Sequence, residues 1–259
     1  MSETTSLPLP EISALIIGDE ILSGRRHDKH LSRLIMMLKA RGMQLDWAHY
    51  CGDRHEALAQ ALRQSFASGA IVFSFGGIGA TPDDNTRQAA ATALGLPLKL
   101  HPEAEALIRQ RFGDQITPHR LEMGVFPEGS TIIPNPFNQI PGFSIQQHHF
   151  VPGFPIMSWP MVEWVLDTLY PHLHHQQDYI EQSVIVWEVH EGGLVGLMEE
   201  IEQQYGVTIF SLPAVEEENG RRSVELGAKG THRAVSAAMQ EICDTLDQRH
   251  LNWQVQPSL

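Results

Sequence analysis

The sequence predicts an α/β fold, a three-layer, doubly wound and mostly parallel sheet followed by a small α+β domain. Short apolar runs rich in β-formers alternate with segments of helical periodicity through residue 95. Connections of this length between strands imply a parallel sheet with right-handed crossovers. A histidine-containing stretch at 171–177 then precedes a shorter β-α-β-β-α pattern. The predicted domains are therefore residues 1–170 and 178–259, with 171–177 as the linker.

The first two strand–helix pairs follow the expected periodicities. Residues 12–17 are apolar and predict a strand, and residues 43–47 alternate between apolar and polar side chains and predict another. Between them, apolar side chains recur at the spacing of one helix face, at Leu31, Leu34, Ile35 and Leu38. Asp53 and Glu56 have capping-box spacing, which predicts that Asp53 caps the next helix.

The third pair contains the stretch around which the first domain is organised. Residues 70–75 form an apolar run that predicts a strand buried on both faces. Glycines follow at once and let the backbone take φ > 0 and approach a ligand closely, at Gly76, Gly77 and Gly79. A Thr-Pro-Asp-Asp segment at 81–84 predicts the first turn of a helix. Strand, glycine loop and helix N-terminus together favour phosphate binding.

Two familiar phosphate motifs are excluded for this loop. No Gly-Lys-Ser/Thr follows the glycines, and Pro82 stands where the dinucleotide fingerprint needs a small residue. The glycines also allow a simpler interpretation, in which they only permit tight packing of a helix against the sheet. Asp83 and Asp84 allow one as well, because acidic residues cap helices and complement the helix dipole.

The remaining predicted elements are shorter. A helix begins at His101-Pro102, prolines punctuate short strands over 125–154, and a further helix begins at Ser158 and ends before Pro171. Beyond the linker, apolar runs predict strands at 180–189, 207–212 and 222–226, with Asn219-Gly220 as a hairpin turn and two helices beside them. The linker histidines are interpreted as solvated residues rather than metal ligands: His172, His174 and His175.

Composition restricts the classes of partner. The 259 residues carry a formal net charge of −13, which argues against non-specific binding to nucleic acid or to an anionic membrane. No apolar run approaches the ~20 residues that span a bilayer, and the N-terminal residues lack the features of a signal peptide. Cys51 and Cys243 are interpreted as free thiols, as expected of a protein in the reducing cytoplasm.

Four carboxylates are expected at one edge of the predicted sheet. Asp19 and Glu20 follow the first strand, and Asp83 and Asp84 follow the third. Ligands bind at the carboxyl ends of the strands in doubly wound sheets. Four carboxylates there would repel one another unless a cation bridged them, and hard divalent cations prefer carboxylates and also clamp phosphate oxygens. The pattern therefore predicts metal-assisted chemistry on a phosphorylated ligand.

Two motifs carry a family resemblance. The segment Phe75-Gly-Gly-Ile-Gly-Ala-Thr-Pro-Asp-Asp-Asn-Thr86 resembles the Gly-Gly-x-Gly-x-Thr-x-Asp-Asp-x-Thr motif of the molybdopterin-binding domain superfamily. Gly18-Asp-Glu-Ile-Leu-Ser-Gly24 resembles the partner motif at its first strand, and Pro152-Gly-Phe-Pro155 resembles a later loop. Residues 11–170 are most similar to the N-terminal portion of the competence/damage-inducible CinA proteins, and 178–250 to their small KH-like region. No counterpart of the C-terminal amidase domain of that family is expected within these residues.

The resemblance implies a fold, a ligand and an activity. The fold is that of the MoaB and MogA molybdenum-cofactor proteins. The implied activity is hydrolysis of the pyrophosphate of an ADP-ribose-like substrate, with a divalent metal ion of the Mg, Mn, Co or Ni class as cofactor. The alternative is a non-catalytic protein that binds molybdopterin or a nucleotide. A homo-oligomer, a dimer or larger, is also implied.

The predicted site residues fall into three groups. Asp84 and Asp83 are the predicted catalytic residues, and the predicted metal ligands are Asp19, Glu20 and Asp84. The predicted ligand-binding residues are Gly18, Asp19, Glu20, Ser23, Gly76, Gly77, Gly79, Thr81, Thr86, Pro152 and Gly153.

The chain departs from the family pattern near this predicted site. The family usually has Pro at Ala80, Gly at Asn138 and Glu at Met157, and it commonly has Asn near His30. The loss of Asn and Glu side chains there favours the alternative of binding without turnover. The KH-like region lacks the Gly-x-x-Gly loop with which such domains hold nucleic acid, so nucleic acid is not expected as a partner.

Overall fold

The chain forms two compact units, Met1–His174 and His175–Leu259. The computed structural model describes residues 9–176, 178–215 and 220–256. Pro171–Leu173 forms a 3₁₀ turn, and the ring of His174 donates to the carbonyl oxygen of Leu166 at 3.1 Å. The first residues of the predicted linker therefore pack with the first unit, while residue 177 lies outside the described residues.

The first unit alternates strands and helices, as predicted. Within the described residues its strands are β1 (Ile12–Ile17), β2 (Trp47–Cys51), β3 (Ile71–Phe75), β4 (Leu98–Leu100), β5 (Val125–Pro127), β6 (Thr131–Ile133), β7 (Gly142–Ile145) and β8 (His148–Val151). Its α-helices are α1 (Asp19–Leu22), α2 (His30–Lys39), α3 (His55–Ser68), α4 (Thr86–Leu94), α5 (Pro102–Phe112), α6 (Pro118–Leu121) and α7 (Pro155–Leu169).

A six-stranded sheet in the order β2-β1-β3-β8-β7-β6 forms the middle layer. β1, β2, β3 and β8 run parallel, while β7 is antiparallel to β8 and β6 is antiparallel to β7. All five residues of β3 are buried, which confirms the prediction of a strand covered on both faces. β4 and β5 form a separate antiparallel pair that the sequence did not reveal.

Two apolar layers cover the sheet. On one face, side chains of α3, α4 and α5 pack against Leu15, Val72 and Phe150. On the other face, side chains of α2 and α7 pack against Ile16 and Phe73. The result is the predicted three-layer α/β fold.

Several helices begin at residues other than those predicted. α4 begins at Thr86 rather than at Thr81, and α7 begins at Pro155 rather than at Ser158. α3 begins at His55 after Arg54, and no side chain caps it. The prediction of Asp53 as the cap is therefore wrong, because its carboxylate accepts a hydrogen bond from another loop.

The second unit is a smaller antiparallel sheet with two helices. Its strands, in the order β10-β11-β9-β12, are β9 (Ile180–Trp187), β10 (Thr208–Val215), β11 (Arg222–Gly230) and β12 (Asn252–Val255). Its helices, α8 (Val195–Tyr205) and α9 (His232–Gln248), pack on a core that includes Val184, Leu226 and Ile242. β12 was not predicted, and the predicted hairpin turn at Asn219 lies outside the described residues. No helix in the described part of the chain is long and apolar enough to cross a membrane.

Candidate functional site

The predicted site residues lie on loops that leave one edge of the first sheet. β1, β2, β3 and β8 are parallel, so the loops after their carboxyl ends emerge at the same edge. The glycine loop after β3 and the Pro152-Gly153 loop after β8 touch, since a Cβ built on Gly153 would lie 3.5 Å from the Cα of Gly76. This edge is the candidate site.

Gly76 and Gly77 shape the glycine loop from within. Gly76 has φ +103°, and a Cβ there would lie 2.5 Å from the carbonyl oxygen of Ile17. Gly77 has φ +68°, and its Cβ would lie 2.1 Å from Oγ1 of Thr86. Only glycine fits both positions without strain. The interpretation of tight packing therefore holds for these two glycines.

Thr86 holds the loop rather than facing the solvent. Its side chain is buried, and its hydroxyl donates to the carbonyl oxygen of Gly76 at 3.0 Å. Its amide donates to the carbonyl oxygen of Gly77, also at 3.0 Å. A role of Thr86 in ligand binding would therefore act through the shape of the loop.

Asp84 folds the turn between the glycines and α4. Its Oδ2 atom accepts hydrogen bonds from the amide of Thr81 at 2.8 Å and from the hydroxyl of Thr81 at 2.5 Å. Asn85, not an aspartate, precedes the first residue of α4, so the prediction that residues 81–84 form the first helical turn is wrong. The physical reason is the pair of hydrogen bonds from Thr81, which close a separate turn. Gly79 packs against this turn without room for a side chain, because a Cβ there would lie 2.5 Å from Oδ2 of Asp84.

The backbone amides of the glycine loop are candidate donors to a ligand. Among the described residues, no acceptor receives a hydrogen bond from the amides of Gly77, Ile78, Gly79 or Ala80. Backbone donors without a partner inside the protein are satisfied by water or by a ligand. Four successive donors next to the N-terminus of α4 suit an anion such as phosphate.

Asp19 and Asp53 join the loops after β1 and β2. The amide of Asp19 donates to Oδ2 of Asp53 at 2.8 Å, and the amide of Asp53 donates to Oδ1 of Asp19 at 3.3 Å. Burial raises the pKa of Asp53, and the charges of Asp19, Glu20 and Asp83 raise it further. Asp53 is thus a site residue that sequence reasoning missed, although its place directly after a parallel strand was a usable signal.

The predicted metal ligands do not form one cluster. In residues 9–176, 178–215 and 220–256, no three His, Cys, Asp or Glu side chains come together in a group that would hold a metal ion. Oδ2 of Asp84 accepts from Thr81, and Asp19 exchanges hydrogen bonds with Asp53 through their backbone amides. Glu20 packs beside Gly18, where a Cβ would lie 2.6 Å from Oε2 of Glu20. A metal site built from Asp19, Glu20 and Asp84 remains a prediction.

Ser23 and Asp83 lie at the solvent side of this edge. Ser23 is exposed and directly follows α1, and its amide donates to the carbonyl oxygen of Asp19 at 2.9 Å. Asp83 is exposed, so its carboxylate is accessible to water. Both residues are therefore free to meet a ligand from the solvent side.

His30 fixes the loop after β8. Its Nε2 atom donates to the carbonyl oxygen of Gly153 at 3.1 Å, and its ring stacks on Phe75 with centroids 4.6 Å apart. Burial lowers the pKa of His30, so the ring is neutral at pH 7. Phe154, the next residue of this loop, is 58% exposed, so its aromatic ring is accessible to a ligand.

Two of the departures from the family pattern contact each other. The amide nitrogen of Asn138 donates to the sulfur of Met157 at 3.2 Å. β6 runs in the same direction as β8, so the loop that carries Asn138 emerges at the site edge. The contact joins that loop to the first turn of α7.

Comparison with known proteins identifies the first unit. The family model described as "Probable molybdopterin binding domain" matches residues 13–175. The chain belongs to this molybdopterin-binding family. A protein of Caldivirga maquilingensis is 30% identical over 195 residues, which cover 72% of this chain and 74% of that one.

CinA-like proteins are also similar to this molybdopterin-binding domain. The one from Geobacter sp. strain M21 is 34% identical over 173 residues, 64% of this chain and 41% of that protein. The one from Anaeromyxobacter dehalogenans strain 2CP-C is 31% identical over 171 residues, 63% of this chain and 41% of that protein. The chain thus spans about two fifths of the length of these CinA-like relatives.

A solved structure supports the same assignment. The crystal structure of CinA from Thermoplasma acidophilum, described there as of unknown function, superposes with a TM-score of 0.56 and 26% identity. The match covers 61% of this chain and 96% of that one. The prediction of a CinA-like molybdopterin-binding domain is confirmed.

Proposed function

We propose that the first unit binds the phosphate groups of a nucleotide or pterin at the loop from Gly76 to Thr86. We further propose that it hydrolyses the pyrophosphate of an ADP-ribose-like ligand with a divalent cation. The row of amides from Gly77 to Ala80 carries the proposal, because within the described residues these donors have no acceptor. The N-terminus of α4 adds its positive dipole end at the same place.

The exposed ring of Phe154 supports a ligand with a flat heterocycle. It lies one residue beyond Gly153, which touches the glycine loop. Aromatic side chains bind bases by stacking on their π-faces. Nucleotides and molybdopterin both combine such a ring with phosphate.

The residues present fit a divalent cation that arrives with its substrate. Magnesium-class ions are commonly held by one or two carboxylates together with phosphate oxygens of the substrate. Asp19 and Asp53 supply such a pair. Burial raises the pKa of Asp53 and the charges of Asp19, Glu20 and Asp83 raise it further, and a cation would relieve this repulsion. When bound, the cation would stabilise negative charge that develops on the phosphate oxygens.

The side chains of the unit have separate roles in the proposed hydrolysis. The loop amides orient the phosphates, and Asp84 keeps the loop in shape through Thr81. Exposed Asp83 orients the attacking water, whose proton leaves to the solvent, because contact with Thr81 lowers the pKa of this carboxylate and makes it a weak base. Water adds across the P–O–P bridge, so ADP-ribose would yield AMP and ribose 5-phosphate.

A second candidate is a protein that binds a nucleotide or molybdopterin without turnover. The hydrogen bonds from Thr81 favour it, because they engage one of the two oxygens of the Asp84 carboxylate, Oδ2, in holding the turn. Both candidates place the phosphate on the same loop.

One experiment separates the candidates. Purified protein is titrated with ADP-ribose by calorimetry, and release of AMP is followed with Mg²⁺, Mn²⁺, Co²⁺ or Ni²⁺ and with EDTA. Binding with metal-dependent release of AMP supports hydrolysis. Binding without release supports the second candidate, and absence of binding for ADP-ribose, AMP and a pterin phosphate contradicts both.

A further inference from the structure

Arg87 is a buried cation beneath the glycine loop. The residue is 3% exposed, although arginine is seldom so buried unless it is paired. One guanidinium nitrogen donates to the carbonyl oxygen of Gly79, and another donates to the carbonyl oxygen of Glu122. Its Nε atom has no hydrogen-bond partner within the described residues.

The charge of Arg87 has no counter-ion in the described part of the chain. Its guanidinium makes no ion pair there, although the longer-range charges of Asp84 and Glu122 favour its charged form. Burial acts in the opposite direction and lowers the pKa of Arg87. A buried charge of this kind is costly, and carbonyl dipoles compensate it only in part. An anion on the other side of the glycine loop would supply the missing negative charge.

Arg87 also sets the direction of a peptide group in the loop. In a trans peptide the carbonyl and the N–H point in opposite directions. The Gly79 carbonyl is directed at the buried guanidinium, so the N–H of Ala80 is directed away from it. That N–H is one of the four loop donors without an acceptor among the described residues. The bond to Glu122 anchors the same guanidinium to the turn before β5.

We propose that Arg87 is a positioning residue of the phosphate site. It fixes the Gly79–Ala80 peptide with its amide toward the ligand, and it supplies positive charge at a rim that carries Asp19, Asp53 and Asp83. The inference rests on the proposed binding of a phosphorylated ligand at this loop. In addition, it assigns the attraction for the anion to Arg87, a side chain that does not touch the anion.

The inference predicts how affinity depends on the charge of the ligand. A buried charge is screened weakly, so its attraction grows with the charge of the anion opposite it. ADP carries more negative charge than AMP on the same base and sugar. Loss of the Arg87 charge should therefore lower the affinity for ADP more than the affinity for AMP. Simple loosening of the loop should instead lower both affinities by the same factor.

Calorimetric titrations of ADP and AMP with four variants test this. Arg87→Met removes the charge and the donors, Arg87→Gln removes the charge but keeps a donor, and Arg87→Lys keeps the charge. Arg41→Met is the matched control, because Arg41, which follows α2, is also largely buried but is paired with Asp167 of α7 at 2.6 Å. Circular dichroism and thermal melts verify that each variant is folded.

We expect Arg87→Met and Arg87→Gln to lower the affinity for ADP by about tenfold or more, and that for AMP by clearly less. Arg87→Lys should keep the ratio of the two affinities, although both fall because lysine lacks the two-pronged geometry of arginine. Arg41→Met should lower the melting temperature and leave the ratio unchanged. If Arg87→Met does not fold, Arg87→Gln and Arg87→Lys decide the question.

Two outcomes would overturn the inference while the proposed function stands. One is that Arg87→Met and Arg87→Gln bind both ADP and AMP with the affinity of the wild type. The other is an equal loss for ADP and AMP, which would leave Arg87 as a structural clamp only. If wild-type protein binds neither nucleotide, the proposed nucleotide site and the inference fail together.

Discussion

Asp19 and Asp53 exchange hydrogen bonds across the candidate site, each carboxylate accepting from the backbone amide of the other residue, at 2.8 Å and 3.3 Å. The exchange holds two acidic side chains together where the loops after β1 and β2 meet. Burial, and then the neighbouring charges, raise the pKa of Asp53. The folded-state pKa of Asp53 lies above the ordinary value, so the ionised carboxylate opposes folding. Its contribution to stability therefore falls as the pH rises from the ordinary pKa of an aspartate through the folded-state pKa.

Asp53→Asn should therefore leave the metal-free protein as stable as wild type or slightly more stable. The amide oxygen of Asn can still accept from the amide of Asp19, while the crowded charge is gone. Stabilisation by Mn²⁺ together with ADP-ribose should fall, because one of the two carboxylates is lost. Thermal melts with and without Mn²⁺ and ADP-ribose measure both effects.

Asp46→Asn is the matched control for this variant. Asp46 also accepts a hydrogen bond from a backbone amide, that of Ile12 at 2.7 Å, but it precedes β2 and so lies at the opposite edge of the sheet. Its loss should not change the response to Mn²⁺ and ADP-ribose. A metal-free Asp53→Asn protein that melts well below wild type would contradict the electrostatic reading of this pair.

The glycines of the site should differ in their tolerance of alanine. Gly76 has φ +103° and no room for a Cβ beside the carbonyl oxygen of Ile17, so Gly76→Ala should cost on the order of 1–3 kcal/mol of unfolding free energy. At Gly153 a Cβ would meet only the Cα of Gly76 at 3.5 Å, an ordinary contact. Gly153→Ala should change stability by less than about 0.5 kcal/mol. Urea unfolding of both variants tests the contrast, and equal losses would contradict it.

Sequence patterns were informative where one local rule decides the outcome. A run such as residues 71–75, apolar except for Ser74, has one stable place, the middle of a covered parallel sheet, and β3 lies there. Residues 81–84 satisfy two local rules at once, a helix start and a hydrogen-bonded turn. The turn forms because the Asp84 side chain accepts a hydrogen bond from the amide of Thr81. The spacing of residues in the sequence does not show this contact.

Arg87 and Asp53 were missed for a different reason. Their roles depend on partners 35 and 34 positions away in sequence, Glu122 and Asp19, and only the folded sheet brings these together. Conversely, Thr86 was predicted as a ligand residue because of its motif, yet it is buried under the loop. A motif shows which residues belong together, but it does not show which of them face the ligand.

Two buried histidines should make the protein sensitive to acid. Burial lowers the pKa values of His148 and His149 to about 3. Nε2 of His148 bonds the hydroxyl of Ser65 at 2.7 Å, and His149 bridges Ser144 and Tyr170. Both rings are therefore neutral in the folded protein and take up protons on unfolding at acidic pH. Their contribution to stability is complete above pH ~6.5 and is lost progressively as the pH falls toward the folded-state values.

Urea unfolding between pH 7 and pH 4.5 measures this loss. The free energy of unfolding should fall with decreasing pH below about 6.5, by up to roughly 1.4 kcal/mol per pH unit for each histidine. His148→Gln should make the fall less steep, because glutamine can still meet Ser65 but does not titrate. His119→Gln is the control, because the side chain of His119 is 66% exposed. A wild-type slope in His148→Gln would show that His148 does not carry the acid sensitivity.

Asp84 and Thr81 provide a test of what the Thr-Pro-Asp-Asp segment does. Asp84 holds the turn by two hydrogen bonds from Thr81, and Thr81→Val removes only the one from the hydroxyl. If Asp84 acts through the turn, Asp84→Asn and Thr81→Val should each cost about 0.5–1.5 kcal/mol of unfolding free energy. Both should lower the affinity for ADP-ribose by similar small factors. Stabilisation by Mn²⁺ should then persist in both variants. We expect this pattern, because Oδ2 of Asp84 already accepts both hydrogen bonds from Thr81. Loss of metal-dependent AMP release in Asp84→Asn, with release intact in Thr81→Val, would instead place Asp84 among the groups that meet metal or water.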